Sequence, residues 1–162
     1  MNNQTILVRN ILDLCTEKNL MISSAESCTG GLISSALTDI AGSSKVFDKG
    51  LVTYSNDSKI KLLGISEKTL SKFGAVSKEI ISEMAIKLVS LDNQKNIVSI
   101  ATSGVAGPSE SENKPVGLVW IASYRYDNLI IKKINLGKLN RREIRNRTVL
   151  EALALLKENL KF

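Results

Sequence analysis

The chain has 162 residues, 43% of them hydrophobic and 23% charged, which predicts one globular domain over 1–162 with a substantial core. With a net charge of +6, no histidine and only two cysteines, a disulfide framework is excluded and a transition-metal site would rest on scattered carboxylates, so no metal is expected. No apolar run reaches membrane-spanning length, and the opening MNNQTILVRN lacks the layout of a signal peptide, so a cytoplasmic protein without a membrane partner is expected.

Residues 3–19 place Ile6, Leu7, Ile11, Leu12 and Cys15 on helical spacing. LMISSA, 20–25, is a short apolar run that reads as a buried strand. Gly30 and Gly31 follow it, and LISSALTDI then repeats with a helical period, so AESCTGG (25–31) sits at a strand-to-helix turn. KVFDKGLVTYS, 45–55, is strand-like. SNDSKIKLLG, 55–64, predicts a short helix capped by Ser55 or Asn56 and stopped by Gly64. Ser66 caps a second short helix to Phe73. Ser77 opens a longer one with Ile80, Ile81, Met84, Ala85, Leu88 and Val89 on one stripe.

NIVSIATS, 96–103, predicts the next strand. VGLVWIASY and NLIIKKINL form a hairpin across Arg125 to Asn128, and SESEN, 109–113, reads as a polar loop. Asn140 with Glu143 is a capping-box start to a last helix ending near Leu160. The order α-β-α-β-α-α-α-β-β-β-α implies a three-layer α/β/α sandwich with a mixed, mostly parallel sheet.

Three small-residue turns follow predicted strands, where open α/β sheets bind ligands. The first carries Ser27, Cys28, Thr29, Gly30 and Gly31, which read either as a plain helix cap or as a cradle for an oxyanion or phosphate. The second carries Tyr54, Asn56 and Lys59. Alone, Lys59 reads as a solvated helix lysine. In a chain without histidine, lysine is the natural remaining base for a serine, provided its pKa falls from about 10.4 by roughly 3 units. Burial and the cations of the basic stretch Lys132, Lys133, Lys138, Arg141, Arg142, Arg145 and Arg147 are candidate sources of that shift. The third turn carries Ser103, Gly104 and Gly107 before Pro108. The basic stretch itself fits an anionic small molecule, nucleic acid or a solvated face. Nucleic acid is disfavoured because aromatics make up only 4% of the chain.

Taken together, AESCTGGLISSALTDIAGSSKVFDKGLVTYSNDSKIKLLGIS, GAVSKEI, SGVAGP and KPVGLVWIA resemble the CinA C-terminal domain family, the nicotinamide-nucleotide amidases, over about residues 5–160. The resemblance implies hydrolysis of the carboxamide of nicotinamide mononucleotide (NMN) to nicotinate mononucleotide and ammonia, in pyridine nucleotide salvage, without a cofactor. It implies Ser27 as nucleophile and Lys59 as base. Tyr54, Asn56 and the GVAGP loop match substrate-side positions, and Arg145 matches an arginine on the last helix that would meet the 5′-phosphate. Backbone N–H groups from Cys28 to Gly31 would hold the oxyanion, and the assembly would be a homodimer or larger homo-oligomer. Glu26 would orient a neighbour or form a salt bridge, and Cys28 is a rival nucleophile.

Two positions depart from the family pattern: Val105, where isoleucine is usual, and SESENK after Pro108, where a DGG-like loop is usual. Two alternative functions stay open, a non-catalytic nucleotide-binding regulator and a competence or DNA-repair accessory protein.

Overall fold

In a computed structural model, which describes residues 3–91 and 96–162, the first element is α1 (Asn3–Glu17), burying Val8, Ile11, Leu12 and Cys15 along one stripe. Positions 1, 2 and 92–95, included in the single-domain expectation, lie outside the described residues. Strand β1 (Met21–Glu26) is buried along nearly its whole length, as a central strand must be. Helix α2 (Leu32–Thr38) follows the glycine pair.

Strand β2 (Phe47–Val52) alternates half-buried and exposed residues, the pattern of an edge. It is shorter than the expected 45–55 at both ends. Ser43–Lys45 form a single 3-10 turn ahead of it, and Ser55 is drawn off to cap α3 (Asn56–Leu63), accepting from the Ser58 N–H. Gly64 ends α3 with a left-handed φ of 68°. Ser66 and Ser77 cap α4 (Glu67–Phe73) and α5 (Lys78–Ser90) in the same way.

Strands β3 (Ile97–Gly104), β4 (Leu118–Arg125) and β5 (Asn128–Asn135) complete one five-stranded sheet of order β2-β1-β3-β4-β5. The β4–β5 turn places Tyr126 and Asp127 at φ 46° and 62°, the two positive values of a type I′ hairpin. The β2–β1 and β1–β3 pairings are parallel and the other two antiparallel, so β4 alone runs against the rest. Helix α6 (Arg141–Asn159) starts at the expected capping box of Asn140 and Glu143.

Helices α1, α2 and α6 cover one face of the sheet over Ile22, Val98, Ile100, Val119 and Ile121. The other face carries α5, flanked by α3 and α4. There Ala25, Ala101 and Ala122 stand in register across three strands, and their small side chains let the Ile80–Met84 stripe of α5 settle close to the sheet. The carboxyl ends of β1, β2 and β3 consequently open at the same end of the sheet, with the start of α6 beside them. All three small-residue turns meet there.

Candidate active site

Ser27 follows β1 directly, and its N–H is tied to the Thr102 carbonyl of β3 at 3.0 Å, which fixes the turn against the neighbouring strand. Lys59 lies one turn into α3. The Ser55 cap aims that helix at the end of β1, and Lys59 is only 1% exposed, among the largest fully buried side chains. Its Nζ stands 3.1 Å from Ser27 Oγ and donates to the carbonyls of Thr53 at 2.8 Å and Tyr54 at 3.2 Å. A neutral amine has two N–H donors and one lone pair. The two carbonyls take the donors, and the lone pair is left for the Ser27 hydroxyl proton.

Burial pulls the Lys59 pKa down to about 8, with Cys28 and Glu112 opposing the fall. Desolvation therefore does what neighbouring cations were expected to share in. At pH 7 roughly one lysine in ten is then neutral, against about one in 2,500 for a free side chain.

Glu26, the last residue of β1, has no solvent exposure. Its carboxylate accepts from Thr29 Oγ1 at 2.7 Å, Ser34 Oγ at 2.8 Å and Ser24 Oγ at 3.4 Å. It also accepts from the backbone N–H groups of Gly31, Ile33 and Ser34 at 2.9–3.0 Å. The carboxylate thus plugs the N-terminus of α2 and satisfies the dipole that an anionic ligand would otherwise use.

This corrects the expected cradle. The Gly31 N–H belongs to Glu26 and the Gly30 N–H to the Ser27 carbonyl, so the groups of that turn left for an oxyanion are the N–H groups of Cys28 and Thr29. Gly30 and Gly31, at φ 59° and 97°, serve the turn itself. The Thr29 hydroxyl is buried between Glu26 and Thr102 and faces no ligand.

Cys28 is 4% exposed. Burial pushes its thiol up to about 12, with Glu26 adding to the rise and its own N–H, Lys59 and Arg145 opposing it. Its thiolate is correspondingly scarce, while the neighbouring Ser27 has the Lys59 amine 3.1 Å from its hydroxyl.

A cavity of about 490 Å³ opens over Ser27 and Lys59, walled by Tyr54, Asn56, Ala75, Val76 and Ser103–Gly107, and closed by Arg141 and residues from the loop after Pro108. Ser103 Oγ donates to the Ala75 carbonyl at 2.7 Å, so it props the wall. A Cβ on Gly104 would lie 2.9 Å from the Leu118 carbonyl and against Val119, so that glycine answers to β4. The polar loop expected at 109–113 supplies Ser109, Ser111 and Glu112 to the wall. Among the described residues no three His, Cys, Asp or Glu side chains converge on a metal-sized point.

The arginine expected at the phosphate is placed differently. Arg145 donates from Nε to the Cys28 carbonyl at 3.1 Å and from Nη2 to the Thr29 carbonyl at 2.9 Å, and it does not line the cavity. It holds the Ser27–Thr29 turn from outside. Arg141, one helical turn earlier, lines the cavity and bridges the Gly107 carbonyl at 2.6 Å and the Tyr54 hydroxyl at 2.7 Å. The i, i+4 spacing puts both arginines on one face of α6, so sequence alone could not choose between them.

The profile of the CinA C-terminal domain matches residues 4–160. A CinA-like protein of Kosmotoga olearia is 42% identical over 151 residues, which cover 93% of this chain and 36% of that protein. The chain spans little more than a third of the length of the curated relatives it matches. Among solved structures, the competence/damage inducible protein CihA of Agrobacterium tumefaciens superposes with a TM-score of 0.92 at 42% identity, covering 100% of this chain and 98% of that one. The competence damage-inducible protein A of Klebsiella pneumoniae does so with a TM-score of 0.92 at 30% identity, over 99% of this chain and 98% of its own. The chain belongs to the CinA C-terminal domain family.

Proposed function

We propose that this protein is an amidohydrolase that converts NMN to nicotinate mononucleotide and ammonia through Ser27 and Lys59. The observation that carries the reading is a buried lysine amine 3.1 Å from a serine hydroxyl, with a pKa drawn down to about 8, at the floor of a cavity. A lysine that only attracted anions would be better served by keeping its full charge than by a burial that favours the neutral amine.

In the mechanism, neutral Lys59 takes the proton of Ser27 as Oγ bonds to the carboxamide carbon. The N–H groups of Cys28 and Thr29 face the developing oxyanion. The tetrahedral adduct collapses as the Lys59 ammonium protonates the leaving nitrogen, releasing ammonia and leaving an acyl-serine. Water then attacks the acyl carbon, giving its proton to Lys59 and restoring Ser27 as nicotinate mononucleotide departs. Arg141 supplies the cation for the 5′-phosphate, because it is the guanidinium in the cavity wall. A homodimeric or larger assembly and a cytoplasmic setting accompany this reading.

Ammonia release from NMN tests it. The wild-type chain should release ammonia. Ser27→Ala should lose at least about a thousandfold in rate with an unchanged melting temperature, and Cys28→Ala should retain most of the activity. Tight NMN binding without ammonia would favour a nucleotide-binding regulator instead. Loss confined to the cysteine variant would reassign the nucleophile.

A further inference from the structure

One charged group in the cavity wall has no part in that mechanism. Residues 111–114 form a small hairpin, with the Ser111 and Lys114 backbones paired in both directions and Glu112 and Asn113 at its tip with φ 52° and 57°. Left-handed backbone is uncommon for glutamate. The tip is latched to the corner between α4 and α5. Glu112 Oε1 accepts from the Ala75 N–H at 3.3 Å, and Lys114 Nζ donates to the Phe73 carbonyl at 2.8 Å. Gly74 makes room for the latch: a Cβ there would strike the Glu112 carboxylate and lie 2.8 Å from Lys114 Nζ.

The charges around Glu112 are Lys114, at 3.5 Å, and Lys59 and Arg141, with which it shares the cavity. Its bond to Ala75 and its ion pair with Lys114 are both long, and its side chain keeps 33% of its exposure, so the carboxylate has capacity to spare. Its field works against the base, since it holds Lys59 toward the charged form. A carboxylate that opposes the base of the free site makes chemical sense if the bound substrate brings a cation to meet it. The pyridinium ring of NMN carries a permanent positive charge close to its carboxamide.

Resting on the proposed amidase reading, we infer that Glu112 is a specificity-determining residue, a wall carboxylate that selects amides borne on a cationic pyridinium ring over the same amides on a neutral ring. The experiment compares Kd for NMN and for its reduced form, whose dihydropyridine ring is neutral, on Ser27→Ala and on Ser27→Ala/Glu112→Gln. Glutamine keeps an acceptor for the Ala75 N–H, so the hairpin stays latched. NMN should bind about fivefold more weakly to the double variant, with reduced NMN unchanged.

In the Ser27 background, Glu112→Gln should also move the rising limb of the pH–rate profile below the wild-type midpoint near pH 8, because removing an anion disfavours the Lys59 ammonium. A purely structural role would leave that midpoint in place. Equal weakening of both ligands, or no change in either, overturns the inference while ammonia release from NMN keeps the amidase reading intact. Absence of both NMN binding and ammonia release overturns the two together.

Discussion

Two buried charges stand at the ends of neighbouring strands, and the protein treats them in opposite ways. Glu26, closing β1, is met by six donors from Ser24, Thr29, Gly31, Ile33 and Ser34, the last giving two. Lys59, packed beneath the end of β2, has two carbonyls and one hydroxyl, and its third contact is the residue read as nucleophile. A carboxylate so fully hydrogen-bonded has its lost water replaced and holds structure. A desolvated ammonium whose three partners are all neutral oxygens sits near the point of giving up its proton, which is what a base requires. Side by side, they show that burial of a charge is not by itself a sign of chemistry. What separates the two is how completely the protein repays the lost water.

The comparison can be broken most decisively at Lys59. Lys59→Arg keeps the positive charge but cannot deprotonate at accessible pH, so ammonia release from NMN should fall by about a thousandfold or more. An arginine variant that stays active with an unchanged pH profile would remove Lys59 from the role of base. In the wild type, activity should rise with pH through about 8 and level off above it.

The next effect is expected at Glu26 and is structural. Glu26→Ala strips the acceptor from six donors, several of them buried, and should cost on the order of 3 kcal/mol, seen as a melting temperature lower by about 10 °C. Retained stability would mean that α2 does not need its buried plug.

Opposite signs at the two sites make the sharpest contrast. Because the folded-state pKa of Lys59 is depressed, the folded protein is penalised below about pH 8 by holding the ammonium out of water. That penalty fades as pH rises from about 8 toward the unfolded value near 10.5. Lys59→Met should therefore inactivate the protein yet stabilise it near pH 6. The gain should be up to about 2 kcal/mol, the ~3 kcal/mol of desolvation less the cost of two carbonyls left without a donor. Denaturant unfolding at pH 6 and pH 10 would show the gain shrinking at the higher pH. A variant less stable than wild type at pH 6 would mean that the lysine's hydrogen bonds outweigh its desolvation.

The smallest expected effect separates the two arginines of α6. Arg141→Ala should raise KM for NMN about tenfold and affect the phosphate-free riboside much less. Arg145→Ala should lower turnover of both substrates alike, since it loosens the Cys28–Thr29 carbonyls it holds. The reverse pattern would return the phosphate to Arg145.

Much of this architecture is decided locally and could be read from the chain. The caps at Ser55, Ser66, Ser77 and Asn140 act within three residues of themselves. The positive φ at Gly64 and the Arg125–Asn128 hairpin likewise depend on near neighbours. Short-range hydrogen bonds and side-chain period leave a direct trace in sequence. That Ser27 and Lys59 come within 3.1 Å of each other was legible through the resemblance of motifs, since both stand just past strand ends that open at one end of the sheet.

What only the tertiary structure decided are the long-range allocations. These include the removal of Lys59 from solvent, the claim of Glu26 on the α2 N–H groups, the assignment of Arg145 to a turn more than a hundred residues away and of Arg141 to the cavity, and the latching of Glu112 against Ala75. Each depends on where water is excluded and which donors arrive first. A lysine at position 59 has the same local sequence whether its amine faces solvent or a serine. The seating of its amine on the Thr53 and Tyr54 carbonyls beside Ser27 makes the difference.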